Sequence, residues 1–158
     1  MWRKILKITL IVLVVALIVV QFIRPNFSNP PVVEAQTLYA STEVPNEVQQ
    51  VLTRSCSDCH SNETRYPWYS KISPFSWFLA NHIDDGRREL NFSVWNTYSP
   101  KKKVRKLEEL CEQVEQRVMP LQSYLWIHGE AVMADGDAAL LCNWSKAEAG
   151  RLAEMNGQ

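Results

Sequence analysis

The chain has 158 residues, with 17 Lys and Arg against 17 Asp and Glu and no formal net charge. Arg3, Lys4, Lys7 and Arg24 lie before residue 25 and every acidic residue lies after it, so residues 25–158 are mildly acidic. That balance excludes a general nucleic-acid binder, which needs a basic face, and no Ser/His/Asp set, phosphate loop or general-acid pair points to hydrolysis or group transfer.

Residues 8–20 carry no charge, and the apolar stretch from Ile5 to Ile23 is interrupted only by Lys7, Thr9 and Gln21. About 20 residues of helix cross the hydrocarbon core of a bilayer. The spacing therefore predicts a single N-terminal transmembrane helix within residues 1–24. Three cations precede it and only Arg24 follows, which holds the N-terminus in the cytoplasm and sends the rest across. The expected location is the cytoplasmic membrane, single-pass, with the C-terminal domain in the periplasm. A cleaved signal peptide is the alternative, but the run ends Val19-Val20-Gln21-Phe22 with no small-x-small site.

Pro25, Pro30 and Pro31 among polar residues predict an extended linker over residues 25–43. The domain proper is expected over 44–154. Val44, Val48, Val51 and Leu52 recur on one helical face and predict a helix running into residue 56. Pro45 suits its first turn, with Ser41 or Thr42 as caps. Residues 61–74 read as a loop, and a second helix runs from about Pro74 to Leu90. A third spans about 100–118, with Val104, Leu107, Cys111, Val114 and Val118 as its stripe. It stops at Met119-Pro120. A last helix starts near Asp135 as N-cap and turns Ala138, Leu141, Cys142, Ser145 and Leu152 inward. No strand-like alternation of any length is present, so the fold class is all-α.

The most informative residues are Cys56-Ser57-Asp58-Cys59-His60. Cys-x-x-Cys-His is the attachment sequence of c-type haem. Its two thiols add to the two vinyl groups, and the adjacent imidazole falls under the iron as proximal ligand. A redox Cys-x-x-Cys, or half of a zinc site completed from His82, Cys111, His128 and Cys142, uses the same letters. No pair among those four sits at short spacing. Haem c is attached outside the cytoplasm, so motif and anchor name the same compartment.

Beyond the motif, the chain continues Ser61-Asn-Glu-Thr-Arg-Tyr-Pro-Trp-Tyr69, Asp85-Gly-Arg-Arg-Glu-Leu-Asn-Phe-Ser93, Met119-Pro-Leu-Gln-Ser-Tyr-Leu-Trp-Ile-His128 and Leu140-Leu-Cys-Asn-Trp144. Over residues 40–146 this resembles the bacterial haem-binding domain family, small membrane-anchored or secreted proteins related to monohaem cytochromes c. The resemblance implies a cytochrome c-like helical domain, Cys56 and Cys59 as attachment sites of one covalent haem c, His60 as proximal ligand and Met119 as distal ligand. It implies no substrate.

Met119 also has a physical argument. A thioether is soft and neutral, suits a low-spin iron and raises the reduction potential, and 59 positions separate it from His60. Its bland role is a gap-filler in the core. His82 and His128 are the alternative distal ligands. Tyr66 and Trp68 are candidates for the haem pocket, and Arg65, Arg87 and Arg88 for pairing with the propionates. The aromatic residues Trp77, Trp95, Trp126 and Trp144 serve either the crevice or the core. Cys111 and Cys142, left over by haem attachment in an oxidising compartment, are candidates for a disulfide. Lys101-Lys-Lys-Val-Arg-Lys106 reads as a solvated face balanced by Glu108, Glu109, Glu112 and Glu115, or as a dock for an acidic redox partner. The expected function is single-electron transfer with a redox partner protein. A haem peroxidase, or a gas or redox sensor with an open distal site, is the alternative.

Overall fold

The computed structural model describes residues 1–157. Among these the regular secondary structure is all helical, with no strand. The helices are α1 (Trp2–Val20), α2 (Leu38–Ser41), α3 (Asn46–Ser55), α4 (Ser57–His60), α5 (Phe75–Glu89), α6 (Pro100–Glu115), α7 (Gln122–Leu125) and α8 (Asp137–Asn156). Short 3-10 turns lie at Glu34–Gln36, Trp68–Lys71, Phe92–Thr97 and Gly129–Ala131.

The core forms where three amphipathic helices turn their apolar stripes together. α6 and α8 pair along their lengths, and α3 packs across α8. Val48, Val51 and Leu52 of α3 meet Leu107, Cys111 and Val114 of α6 and Leu141, Cys142 and Ala149 of α8. Phe92 and Trp95, carried by a 3-10 turn that periodicity does not announce, complete the cluster. Leu52, Leu107 and Leu141 are at most 1% exposed. Such burial contributes on the order of 1.5–3 kcal/mol per side chain. The sulfurs of Cys111 and Cys142 lie 2.10 Å apart between α6 and α8, at bonding distance.

The boundaries differ from the expected ones for local reasons. α6 ends at Glu115 rather than near 118, because Arg117 adopts a positive φ of 56° and turns the chain away. Val118 is consequently exposed, off the buried stripe. α8 is preceded by Gly136 at φ 94°, a conformation that favours glycine, so Asp135 is not its cap. The Asp137 carboxylate accepts instead from the Ala134 amide, at 2.6 Å. α3 starts after Pro45, with neither Ser41 nor Thr42 capping it.

The segment expected as an extended linker is folded onto the domain. Leu38 is 1% exposed and joins the core. Asn96 donates to the carbonyls of Ala35 and Thr37. Asn29 donates to the Thr64 carbonyl and accepts from Tyr66 and Arg87. Apolar burial at Leu38 and backbone hydrogen bonds that a free linker would leave to water hold this strap down.

No helix among the described residues is long and apolar enough to cross a membrane. α1 has 19 residues, but Arg3, Lys4 and Lys7 occupy its first two turns. It buries no residue, and its leucines, isoleucines and valines are mostly exposed. Its end is fastened to the start of α5. The Gln21 side chain exchanges hydrogen bonds with the Ser73 carbonyl and amide, and Trp77 Nε1 donates to the Ile23 carbonyl at 2.7 Å.

Candidate haem site

The motif sits where α3 breaks. Cys56 closes α3 with non-helical dihedrals, and Ser57–His60 form one further turn, α4. This turn lies directly on α5. The approach is close enough to require glycine: a Cβ at Gly86 would stand 2.7 Å from the Cys59 carbonyl oxygen. A Gly86→Ala variant must push the motif backbone off α5. It is expected to lose about 1–3 kcal/mol, as overpacked cores do, and to carry less haem per polypeptide. Urea unfolding and the haem-to-protein absorbance ratio check both.

α5 also orients the imidazole. His60 Nδ1 lies 3.0 Å from both the Gly86 and the Leu90 carbonyl oxygens. Carbonyls only accept, so Nδ1 carries the proton and Nε2 is left with its lone pair. Burial holds the His60 pKa below its ordinary value, despite the two carbonyls. A neutral imidazole with one nitrogen tied to backbone is the form that ligates iron.

The two thiols are in an apolar setting. Burial, with Cys59 nearby, pushes Cys56 up to about 12, and burial, with the Asp58 charge, raises Cys59 to about 11. A redox-active Cys-x-x-Cys requires the opposite shift. Half of a zinc site fails on geometry. The one cluster of three potential metal-ligating side chains among the described residues is Cys111, Glu115 and Cys142, away from the motif. Two of its sulfurs are already at bonding distance from each other.

Asp58, inside the motif, is a structural anchor. Its carboxylate accepts from Arg65 at its backbone amide, Nε and Nη2 and from the Tyr124 hydroxyl at 2.8 Å. Burial works against its charge, yet the Arg65 and Tyr124 hydrogen bonds prevail and hold its pKa below the usual carboxylate value. Tyr124 thereby ties α7 to the motif.

Two adjoining cavities open at this point. One, of about 290 Å³, is lined by Cys56, Cys59, His60, His82, Met119 and Tyr124 among others. Its neighbour, of about 480 Å³, shares Cys56, His60 and Met119 and adds Leu90, Phe92, Leu110, Val114 and Lys106. Met119 is thus brought to the same space as the proximal imidazole and the first thiol. Ser55 Oγ, on the wall of both cavities, is buried with no hydrogen-bond partner. Buried polar atoms are normally satisfied, and an occupant of the cavity would supply the missing partner.

The remaining expected residues are placed elsewhere. His82 lines the smaller cavity, with Nδ1 turned back onto the Phe78 carbonyl at 2.8 Å. His128 does not line either cavity. Its Nε2 meets the Tyr69 hydroxyl at 2.8 Å, its Nδ1 meets Glu130 at 3.1 Å, and its ring stacks on Tyr124. Tyr66 packs against Phe27 and donates to Asn29, and Trp68 is 71% exposed against the edge of Tyr69. Neither lines these cavities. Arg65 is committed to Asp58, Arg87 donates to the Ser61 carbonyl, Asn29 and Thr64, and Arg88 pairs with Asp85.

The basic run is not one solvated face. Lys102 sits over the Tyr98 ring and Lys103 donates to Asn96. Lys106 is 7% exposed, pairs with Glu109 at 2.6 Å and Glu89 at 3.3 Å, and lines the larger cavity. Burial disfavours its charge, but the two carboxylates outweigh that and raise its pKa. Lys106, Ser55 and Tyr124 are site residues that the sequence reading missed. Lys106 falls on the cavity side of α6, and Tyr124 follows Met119 by five positions, but only the path of the intervening loop brings them in.

An all-helical domain that presents a fixed imidazole, two half-buried thiols and a thioether on one apolar cavity has the donor set and walls for a haem. The chain belongs to the haem-binding domain family: a family model described as "Haem-binding domain" matches residues 15–147. No curated protein and no solved structure matches the chain.

Proposed function

We propose that this haem-binding domain carries one covalent haem c and transfers single electrons from the outer face of the cytoplasmic membrane. The observation that carries the reading is the Cys56-x-x-Cys59-His60 turn, with His60 Nδ1 held by the carbonyls of Gly86 and Leu90 at the end of α5 and Met119 on the same cavity. Cys56 and Cys59 would hold the haem, each thiol adding its sulfur and its proton across a vinyl double bond, so attachment would need no oxidant. His60 Nε2 and the Met119 sulfur would be the groups that ligate its iron. Bound haem supplies a ferric–ferrous couple. Leu90, Phe92, Leu110 and Val114 keep water from it, and the Asp58–Tyr124 bond holds the wall that carries α7.

The membrane part of the reading rests on α1. Its 19 residues reach about 28 Å at 1.5 Å per residue, but with Arg3, Lys4 and Lys7 in its first two turns they fall short of a full apolar span of the core of about 30 Å, so the reading requires those cations to sit among the headgroups. Its cations are gathered at one end, where Lys7 can turn its charged tip to the headgroups. Among the described residues none of the apolar side chains of α1 is buried, and all but Val20 are exposed.

A second reading of the distal side draws on His82, which shares the smaller cavity and keeps Nε2 free. Potentiometric titration of the purified holoprotein, followed optically, separates these functions. Electron transfer predicts a low-spin ferric spectrum and a one-electron Nernst curve that reverses. A high-spin ferric state that turns over hydrogen peroxide would replace this reading by the peroxidase alternative.

A further inference from the structure

We infer that the aromatic rim beside the haem cleft, built by the first turns of α5 and by the turn that follows α7, lies on the surface of the phospholipid bilayer. This rests on the reading of α1 as a membrane anchor. Phe75, Phe78, Trp126 and Ile127 line one apolar hollow of about 480 Å³ that also touches Cys59. They are 61%, 56%, 77% and 59% exposed. The hollow shares Cys59, His82, Leu121 and Tyr124 with the smaller of the cavities that hold His60 and Met119, but the four rim residues line neither of those cavities and stand at its outer edge. Four large apolar side chains presented together call for a covering surface.

The attachment of α1 identifies that surface. α1 ends at Val20, and the turn after it is hydrogen-bonded to Ser73 and Trp77. Those residues bracket Phe75 and precede Phe78 by a few positions. The rim therefore borders the end at which an inserted α1 leaves the hydrocarbon. At that depth Trp and aromatic side chains are favoured, since the boundary accommodates an apolar ring with a polar edge. Arg24 and Lys71, both exposed, flank the same junction and suit phosphate headgroups. This placement brings the Cys59 side of the cleft down to the membrane.

The full-length holoprotein, reconstituted in phosphatidylcholine–phosphatidylglycerol nanodiscs doped with a lipid bearing a diazirine high on its acyl chain, tests this. After irradiation the labelled peptides are mapped by mass spectrometry. Label on α1, and on the peptides of Phe75–Phe78 and Trp126–Ile127 at about ten times the level at Trp144, is expected from interfacial placement. Label on α1 with the rim no higher than Trp144 overturns the inference and leaves the anchor standing. Absence of label on α1 overturns both. A Phe75→Gln/Trp126→Gln variant should keep its haem spectrum and its α1 label while rim labelling falls about fivefold. Unchanged rim labelling in that variant also overturns the inference.

Discussion

Replacing Met119 by Ala is expected to turn the ferric haem from low-spin to high-spin or water-ligated, and to open it to cyanide and carbon monoxide. Met119 follows directly on the turn where α6 ends, and it lines both cavities that His60 lines. No second thioether shares that space: Met133 packs against the core and Met155 is exposed on α8. Met119→His should stay six-coordinate but at a lower potential, because imidazole favours ferric iron more than a thioether does. His128→Ala should leave the spectrum unchanged, since both ring nitrogens of His128 are engaged with Tyr69 and Glu130. The informative control is His82→Ala. If that variant, rather than Met119→Ala, becomes high-spin, the iron is held by two imidazoles. Optical and electron paramagnetic resonance spectra of the ferric proteins read the outcome directly.

The second large effect is expected at Cys111 and Cys142. Their side chains face each other at the centre of the α6–α8 pair, and 31 positions separate them in the chain. In the chain-entropy account, closing a loop of that length stabilises a fold by about 3–4 kcal/mol. A Cys111→Ser/Cys142→Ser variant should lose that amount or more, because two hydroxyls then replace sulfur in a core position 2–3% exposed. The Cys111→Ala/Cys142→Ala pair separates the terms, since it removes the bond without adding buried polar groups. Guanidinium unfolding of the holoproteins gives the difference. Alkylation of the unreduced, denatured wild-type chain should find no free thiol at either position, and two labelled cysteines would refute the bond.

Much of the helical core was legible because burial imposes a period. Of the residues that the 3.6-residue pattern selects, Val48, Val51, Leu52, Leu107, Cys111, Val114, Leu141, Cys142 and Ser145 are buried, whereas Val44, Val104, Ala138 and Leu152 are half-buried at its margins and Val118 is exposed. What periodicity could not reach was structure held by single contacts. The 3-10 turn that buries Phe92 and Trp95 has no repeat to read, and the strap over residues 25–43 is fixed by Leu38 and a few side-chain-to-backbone bonds. The same division holds at the site. Cys56, Cys59 and His60 form a contiguous motif whose spacing carries its chemistry. The carbonyls of Gly86 and Leu90, the Tyr124 bond to Asp58 and the buried Lys106 depend on how α5, α6 and α7 meet, and no local pattern states that. Tyr66 and Trp68 show the converse error: aromatic neighbours of a motif in sequence point away from its cavity once the loop is folded.

The most direct measurement concerns the link between polypeptide and haem. The full chain, expressed with c-type maturation machinery, is denatured in acid, extracted with organic solvent and weighed intact. Haem retained on the polypeptide, with a mass increment of one haem that vanishes in Cys56→Ala/Cys59→Ala, is the predicted result. Haem that leaves entirely with the solvent, or a wild-type chain that carries none, would contradict the account at its centre.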